Sequence, residues 1–220
     1  LQCPVEAVRL KDGAVQGAAG SIQLAEISRT WYLKPQELDT EADPAGLEVT
    51  AGYKPERDSG TFSYATHAAV IAVDPLTGEI ELLDYVIAED GGVLVNPMIV
   101  DGQILGGLAQ GIGTALFEEM VYSTDGQPQA STLSEYLLPG PTEVPDAQII
   151  HLETPSPYTR FGVKGIGEGG CIAPPAAITN AINDALRAIG VELSVLPVTP
   201  RRIVEAVAAA SDSSLGKVTT

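Results

Sequence analysis

Two largely apolar runs on either side of a turn signal predict a long β-hairpin in the middle of the chain. Two β-rich runs, 67–74 and 79–88, flank a Pro-Leu-Thr-Gly tetrapeptide at residues 75–78. Proline presets the first turn position and glycine accepts a positive φ, so this tetrapeptide predicts the chain reversal. Apolar residues in the second run do not alternate cleanly, which indicates a bulge or burial on both faces of that strand.

Helical periodicity predicts four helices. Ser21 is the predicted cap of the first helix, and Thr199-Pro200 is the predicted start of the last. The third helix carries one apolar stripe and ends before Gly190, whose type favours a helix terminus. The predicted ranges are 21–29, 103–119, 174–189 and 201–210.

The order of strands and helices along the whole chain predicts the fold class. A short strand, turn and strand are predicted over 6–16, and the proline-rich run 138–158 is predicted to be extended on a surface. Strands and helices interleave without regular βαβ spacing, which favours the α+β class. We interpret residues 1–220 as one partial domain, with an irregular connection at about 31–58 and a frayed tail at 211–220.

The strongly negative net charge argues against two classes of binding partner. Lys plus Arg number 12 and Asp plus Glu number 29, which gives a formal net charge of −17. Such an acidic surface repels phosphate backbones and anionic lipid, so we expect no nucleic-acid or membrane-surface partner. No apolar run reaches the roughly 20 residues that a membrane-spanning helix needs.

The cysteines and histidines predict no metal site. Cys3 and Cys171 are far apart in sequence, and two thiols cannot supply the four ligands of an iron–sulfur cluster or a structural zinc ion. His67 and His151 do not have the spacing of a histidine metal motif. Two free thiols in a reducing compartment, the cytoplasm, is the preferred interpretation.

One candidate site is a carboxylate enclosed by glycines. Glu168 lies in the run Lys-Gly-Ile-Gly-Glu-Gly-Gly at 164–170, just before the helix predicted at 174. Glycines let a ligand approach the backbone closely and leave the carboxylate unscreened. On residue type alone, a solvated turn residue is the better interpretation of Glu168.

The same run fits a G-x-G-x-x-G pattern at Gly165, Gly167 and Gly170. A dinucleotide-binding turn of this kind should follow a buried strand. The residues before it, Tyr-Thr-Arg-Phe-Gly at 158–162, do not have that character. A nucleotide-binding domain is therefore the least favoured hypothesis, and it predicts a strand that ends just before Gly165.

The glycine-rich helix predicted at 103–119 allows two interpretations. Each glycine inside a helix costs about 1 kcal/mol of helix stability relative to alanine. Gly106 and Gly107 therefore indicate that another backbone or a ligand lies close to this helix. That neighbour is either another part of this chain or a ligand whose polar edge is read by the amides of Gln103 and Gln110. The sequence does not choose between them.

Five motifs taken together resemble one family from about residue 60 onward. They are the hairpin at 67–79 with Val73-Asp74-Pro75 and Thr77-Gly78-Glu79, the step Asn96-Pro97, the run GQILGGLAQGIG at 102–113, the run KGIGEG at 164–169, and the segment 176–186 with LPVTP at 196–200. In this order they are similar to the C-terminal part of the molybdenum-binding subunit of the molybdenum hydroxylases, namely xanthine dehydrogenase, aldehyde oxidase and aerobic carbon monoxide dehydrogenase. Residues 31–58 carry no such resemblance.

The resemblance implies specific roles. Glu168 matches the family's active-site base, which removes a proton from the metal-bound hydroxyl group that attacks an electron-poor carbon. Gln103 matches a glutamine that lies against the molybdopterin, and Gly106, Gly107, Gly165 and Gly167 would let the cofactor approach. The oxygen in the product would come from water. The cofactor would carry the redox chemistry while the protein supplies base, orientation and exclusion of water.

The resemblance also implies partners. Family molybdenum subunits are several times longer, so another chain or segment must complete the site. A molybdopterin dinucleotide is expected, with 2Fe-2S and FAD on partner chains or segments. The predicted function is oxidation of an aromatic N-heterocycle or an aldehyde by a multi-subunit enzyme. The alternative is a non-catalytic structural or assembly subunit that retains the fold.

Overall fold

The computed structural model describes residues 1, 3–38, 47–54, 57 and 61–215, with side chains through residue 212. Helices and strands are mixed, which confirms the predicted α+β class. The chain forms two compact units, Leu1–Lys54 and Pro55–Thr220. Among the described residues, no helix combines the length and apolar character needed to cross a bilayer.

The first unit holds a small antiparallel sheet and one helix. The reversal after the first strand uses positive φ at Asp12 (49°) and Gly13 (73°), as expected for a tight two-residue turn. The sheet order is β1-β2-β3. The elements are β1 Arg9–Lys11, β2 Ala14–Gly17, β3 Gly20–Gln23 and α1 Leu24–Leu33.

Two predictions for this unit are wrong in position. Ser21 does not cap a helix, because it pairs with Gln16 inside β3 and the helix begins only at Leu24. Ordered structure also runs further than expected into the connection predicted at 31–58, since α1 ends at Leu33 and a 3-10 turn follows at Pro35–Glu37. Parts of that connection, 39–46, 55–56 and 58–60, lie outside the described residues.

The second unit is built on the predicted hairpin. Strand β4 (Tyr64–Val73) pairs antiparallel with β5 (Ile80–Asp90), and the register shifts between Val70 and Ile71, which confirms the bulge. At the tip, Gly78 has φ 75° and its missing side chain makes room for the Pro200 carbonyl.

The third strand of this sheet was not predicted. Strand β6 (Gln148–Leu152) lies inside the proline-rich stretch and pairs parallel to the end of β5. This pairing places His151 opposite Glu89. The sheet order is β4-β5-β6, so β5 is the central strand.

Three helices complete the second unit. Helix α2 (Pro97–Ile112) begins earlier than predicted, because the Asn96 side chain accepts a hydrogen bond from the Ile99 amide and proline occupies its first turn. One π-helical turn, Gly113–Phe117, follows it. Helix α3 (Pro174–Leu186) agrees with the prediction. Helix α4 (Pro200–Leu215) continues beyond Ser211, where a frayed tail was expected.

The core of the second unit lies where the three helices cover the hairpin. Helix α3 contacts both β4 and α2. The buried apolar side chains come from β5, α2, α3, α4 and the loops beside them. Fully buried members are Tyr85, Ile87, Ile104, Leu108, Ile112, Ala115, Ile178, Ile182 and Ile203.

Candidate active site

The segment that carries Glu168 is attached to the end of strand β5. The Lys164 amide donates to the Gly91 carbonyl at 3.0 Å, and the Val93 amide donates to the Gly162 carbonyl at 3.2 Å. A side chain at Gly92 would collide with the Gly162 carbonyl, so this close approach requires glycine there. The backbone on the N-terminal side of Glu168 is therefore fixed to the sheet.

A buried ion pair reinforces this attachment. Lys164 Nζ lies 2.9 Å from Asp90 Oδ1, and the two side chains are 7% and 0% exposed. Asp90 also accepts hydrogen bonds from the Gly92 amide and the Tyr64 hydroxyl, each at 2.9 Å. Burial alone would raise the pKa of Asp90, but the hydrogen bonds from Thr154, Lys164, Gly92 and Tyr64 hold that pKa well below its usual range. Asp90 is ionised and fully paired.

The C-terminal side of the segment rests on helix α2. A side chain at Gly170 would meet the Ile104 carbonyl, and one at Gly107 would lie 2.8 Å from the Gly170 Cα atom. Between the two attachments, the Gly169 amide donates to the Ile166 carbonyl at 3.1 Å. Glu168 thus lies in a short turn that is held at both ends.

Glu168 borders a cavity that has a volume of about 580 Å³. Its side chain is exposed, and Gly165 beside it has open space where a side chain would project. Apolar and polar residues from β4, β5 and the glycine turn share the wall. They include Tyr64, Ala65, Glu89, Ile166, Gly167 and Ile172.

Glu89 pairs with a histidine, whereas its neighbour Asp90 pairs with a lysine. Its side chain is fully buried, and Oε1 pairs with His151 Nδ1. His151 Nε2 in turn lies 2.8 Å from Asp101 Oδ1. The pairing with Glu89 and the weaker one with Asp101 raise the pKa of His151, against the opposing effect of burial.

The second oxygen of Glu89, Oε2, has no hydrogen-bond partner among the described residues. A buried carboxylate oxygen without a hydrogen-bond partner lowers the stability of the folded state, so its presence needs a physical reason. Within the described ranges, no group of three or more acidic, histidine or cysteine side chains is arranged to hold a metal ion.

The structure brings some of the predicted site residues together. Gly165, Gly167 and Glu168 line the cavity, and Gln103 Nε2 lies 3.4 Å from the Gly167 carbonyl, so Gln103 supports the turn from α2. Gly106 is exposed and has nothing within 4 Å of its missing side chain.

Gly107 has a different environment. It is buried and its face is filled by the Gly170 and Cys171 backbone, so packing within this chain is sufficient to explain the glycine. Gly111 packs in the same way against Pro174. Neither Gly106 nor Gly107 lines the cavity. Their contacts with a cofactor stay predictions.

The nucleotide-binding hypothesis required a strand ending just before Gly165. In the described structure, residues 160–162 form a 3-10 turn and Val163 makes only an isolated bridge to Gly92. The geometry of a dinucleotide-binding turn is therefore not formed in this part of the chain.

Sequence reasoning missed four side chains near the site: Glu89, Asp90, His151 and Lys164. Lys164 does lie inside the motif run 164–169, but its contact with Asp90 joins residues 74 positions apart in sequence. His151 was considered only as a metal ligand. No local pattern connects it to Glu89, because the unpredicted strand β6 makes that contact.

Comparison with known proteins decides the family. Residues 1–145 match the molybdopterin cofactor-binding domain. This chain belongs to the molybdopterin cofactor-binding domain family. The match includes residues 31–58, on which the sequence motifs carried no resemblance. It ends before the run that contains Glu168, so it does not test the role of that residue.

Relatives extend the similarity over the rest of the domain. The large subunit of nicotine 6-hydroxylase from Paenarthrobacter nicotinovorans is 40% identical over 209 residues, which cover 94% of this chain and 25% of that protein. The carbon monoxide dehydrogenase large chain of Hydrogenophaga pseudoflava is 33% identical, over 73% of this chain and 20% of that one. These relatives place the domain among the molybdopterin-binding subunits of xanthine dehydrogenase-like oxidoreductases.

Solved structures agree with this assignment. Quinoline 2-oxidoreductase from Pseudomonas putida 86 superposes with a TM-score of 0.75 at 39% identity, over 92% of this chain and 26% of that one. A Cu,Mo-containing carbon monoxide dehydrogenase has the same fold, with a TM-score of 0.72 at 23% identity. The domain spans about a quarter of the length of the relatives it matches.

Proposed function

We propose that this domain supplies the general base and part of the cofactor site of a multi-subunit molybdenum hydroxylase. The observation that carries the proposal is the position of Glu168. It is an exposed carboxylate on the wall of a cavity of about 580 Å³, in a glycine turn held at both ends. A base must be accessible to the proton that it removes and fixed relative to it, and Glu168 meets both requirements.

The residues around the cavity fit a pterin cofactor bearing molybdenum. The volume lies within the range of small-molecule sites. Gly165 leaves its wall open to a flat ligand, and the unpaired Oε2 of Glu89 belongs to a residue of the same wall. Gln103, Gly106, Gly107, Gly165 and Gly167 are the proposed contacts of the cofactor, in a dinucleotide form. Gly106 and Gly107 would act through helix α2, outside the cavity itself.

The bound cofactor would supply two-electron oxidation of the substrate carbon with oxygen from water. The residues of this chain contribute proton transfer and positioning. A carboxylate oxygen of Glu168 accepts a proton, and the fixed turn keeps that oxygen at a constant position. Ile166 and Ile172 supply apolar surface to the cavity wall.

The relatives support a proposal for the substrate class and the partners. Two of them are named for nicotine and quinoline, both of which contain an aromatic N-heterocycle. We therefore favour such a heterocycle, with an aldehyde as the second choice and carbon monoxide as the third. Because the domain spans about a quarter of those proteins, a chain or segment carrying the rest of the molybdenum subunit must complete the site. Iron–sulfur and flavin subunits are the proposed electron acceptors.

The competing function is a non-catalytic structural or assembly subunit. It would retain the buried core and the attachments of the glycine turn but would not need a carboxylate at position 168. The open cavity wall beside Glu168 favours the catalytic role, because a purely structural turn gains nothing from an exposed carboxylate there.

The substitution Glu168→Gln in the complete enzyme tests the proposal. An amide of the same shape cannot accept the proton, so kcat should fall by about 100-fold or more while molybdenum and pterin content stay unchanged. The measurement is steady-state turnover of an N-heterocyclic substrate together with metal analysis of the same preparation.

A matched control is Glu205→Gln, which makes the same charge change at an exposed position of helix α4. It should leave turnover unchanged. Near-normal kcat in Glu168→Gln would reject the base assignment and favour the structural alternative.

A further inference from the structure

The turn that contains Glu168 has two attachments of very different chemistry. On the C-terminal side, Gly170 packs directly on the backbone of Ile104, a contact made by shape alone. On the N-terminal side, the attachment includes the buried ion pair of Lys164 and Asp90, with Nζ and Oδ1 at 2.9 Å. Only three residues separate Lys164 from Glu168, so a shift of Lys164 is transmitted to the turn.

Asp90 and Lys164 make more contacts than the neutralisation of their two charges requires. Asp90 already accepts hydrogen bonds from the Gly92 amide and from the Tyr64 hydroxyl. Lys164 Nζ additionally lies 5.0 Å from the centre of the Tyr64 ring, and Tyr64 is part of the cavity wall. One network, buried at Asp90 and Lys164 and exposed at Tyr64, therefore joins the end of β5, the cavity wall and the start of the glycine turn.

A buried ion pair is weak evidence for stability, because removing two charges from water costs about as much as their attraction returns. Buried pairs of this kind can instead fix one geometry. A turn that is rich in glycine has high conformational freedom, so fixing it demands strong attachment at its ends.

We propose that Lys164 and Asp90 are positioning residues for Glu168. The inference rests on the proposed function, since it assigns the pair a role through the proposed base. Lys164 touches neither cofactor nor substrate in this assignment. Its ammonium group, held by Asp90, keeps the turn 165–169 in one conformation, and that conformation keeps the Glu168 carboxylate at its reacting position.

The test uses Lys164→Met in the complete enzyme, which retains the length of the side chain and removes its charge. Hydrogen exchange, read out by mass spectrometry on the peptide containing 165–171, should become at least about tenfold faster, because the Gly169 and Cys171 amides lose a fixed turn. Turnover should show a fall of kcat by about 10- to 100-fold with KM within about twofold, the pattern of a displaced base.

A second variant separates position from charge balance. The double substitution Asp90→Asn with Lys164→Met removes both charges and leaves an uncharged acceptor for Gly92 and Tyr64. If the pair only balances charge, the double variant should restore thermal stability and kcat together. If the pair positions Glu168, stability recovers but exchange at 165–171 stays fast and kcat stays low. Should Lys164→Met fail to assemble, the double variant carries the test.

The matched control is Arg202→Met, which breaks a partly buried ion pair between Arg202 and Glu119 at 2.6 Å. It should lower thermal stability without changing exchange at 165–171 or kcat. Unchanged exchange in Lys164→Met would overturn the positioning role, even if Glu168→Gln is inactive. If Lys164→Met shows fast exchange but a normal kcat while Glu168→Gln is inactive, the positioning role is overturned as well. An active Glu168→Gln would instead reject the base assignment, and exchange would still report whether the pair holds the turn.

Discussion

Two glycine-rich segments of this domain use the same residue type for opposite purposes. In helix α2, Gly107 and Gly111 are buried and their faces are filled by the Gly170 backbone and by Pro174. In the turn before α3, Gly165 is exposed and nothing lies within 4 Å of its missing side chain. The helix glycines bring parts of this chain together, whereas the turn glycine keeps a surface open. A glycine count alone does not reveal which of these roles applies.

The largest effect on folding is expected from Gly107→Val. The new Cβ atom would lie 2.8 Å from the Gly170 Cα atom, and a β-branched side chain cannot turn away from backbone. We expect a loss of about 3 kcal/mol of stability, seen as a lower thermal midpoint of the purified assembly. Gly106→Val is the control, since that position is open and the helix propensities of the two residues differ by only about 0.5 kcal/mol. Equal midpoints for the two variants would contradict the packed role of Gly107.

A smaller effect is expected from the contact that ties the start of this glycine helix to the sheet. His151 lies between buried Glu89 and half-exposed Asp101, and its pKa is raised. A histidine with a raised folded-state pKa stabilises the fold below its unfolded pKa, and this stabilisation is lost as pH rises through the folded pKa.

We therefore expect His151→Gln to lower stability by about 1 kcal/mol near pH 5.5, and by less near pH 8.5. Thermal unfolding of the wild type and the variant at both pH values measures the difference. A gap between the two proteins that widens as pH rises would show that His151 is held in its neutral form.

The smallest effect on folding is expected in the open segment. Gly165→Val should change the thermal midpoint by no more than the midpoint changes in Gly106→Val, because its side chain would project into open space. It should nevertheless lower the molybdenum content of the assembly, since the valine would occupy the cavity wall. Full molybdenum content would indicate that the cofactor does not approach Gly165.

The hairpin and helix α3 could be predicted from sequence because their signals are local. The turn at 75–78 and the apolar stripe of α3 each lie within one short window. The start of α2 was missed although Asn96-Pro97 is a strong local start signal, because that step entered only the family resemblance and the helix was predicted to begin at Gln103. Ser21 shows the opposite error, since a good capping residue is also compatible with a strand.

The site could be predicted only in part. Glu168 and its glycines come from a contiguous motif, so the turn was found. Its attachments were not, because Lys164 and Asp90 are 74 positions apart and meet only when the loop folds onto β5. His151 meets Glu89 through a parallel strand pair, and such pairs leave no local sequence signature.

The contact between the hairpin tip and helix α4 has a consequence for biosynthesis. Gly78 accommodates the Pro200 carbonyl, and Ile203 of α4 is fully buried in the core beneath the sheet. Helices α2 and α3 can cover the hairpin as soon as they are made, but the part of the core that Ile203 fills stays open until α4 emerges from the ribosome. A nascent chain stalled upstream of Pro200 would expose that part of the core, and stop codons in this region should therefore lower the stability of the domain and favour its aggregation.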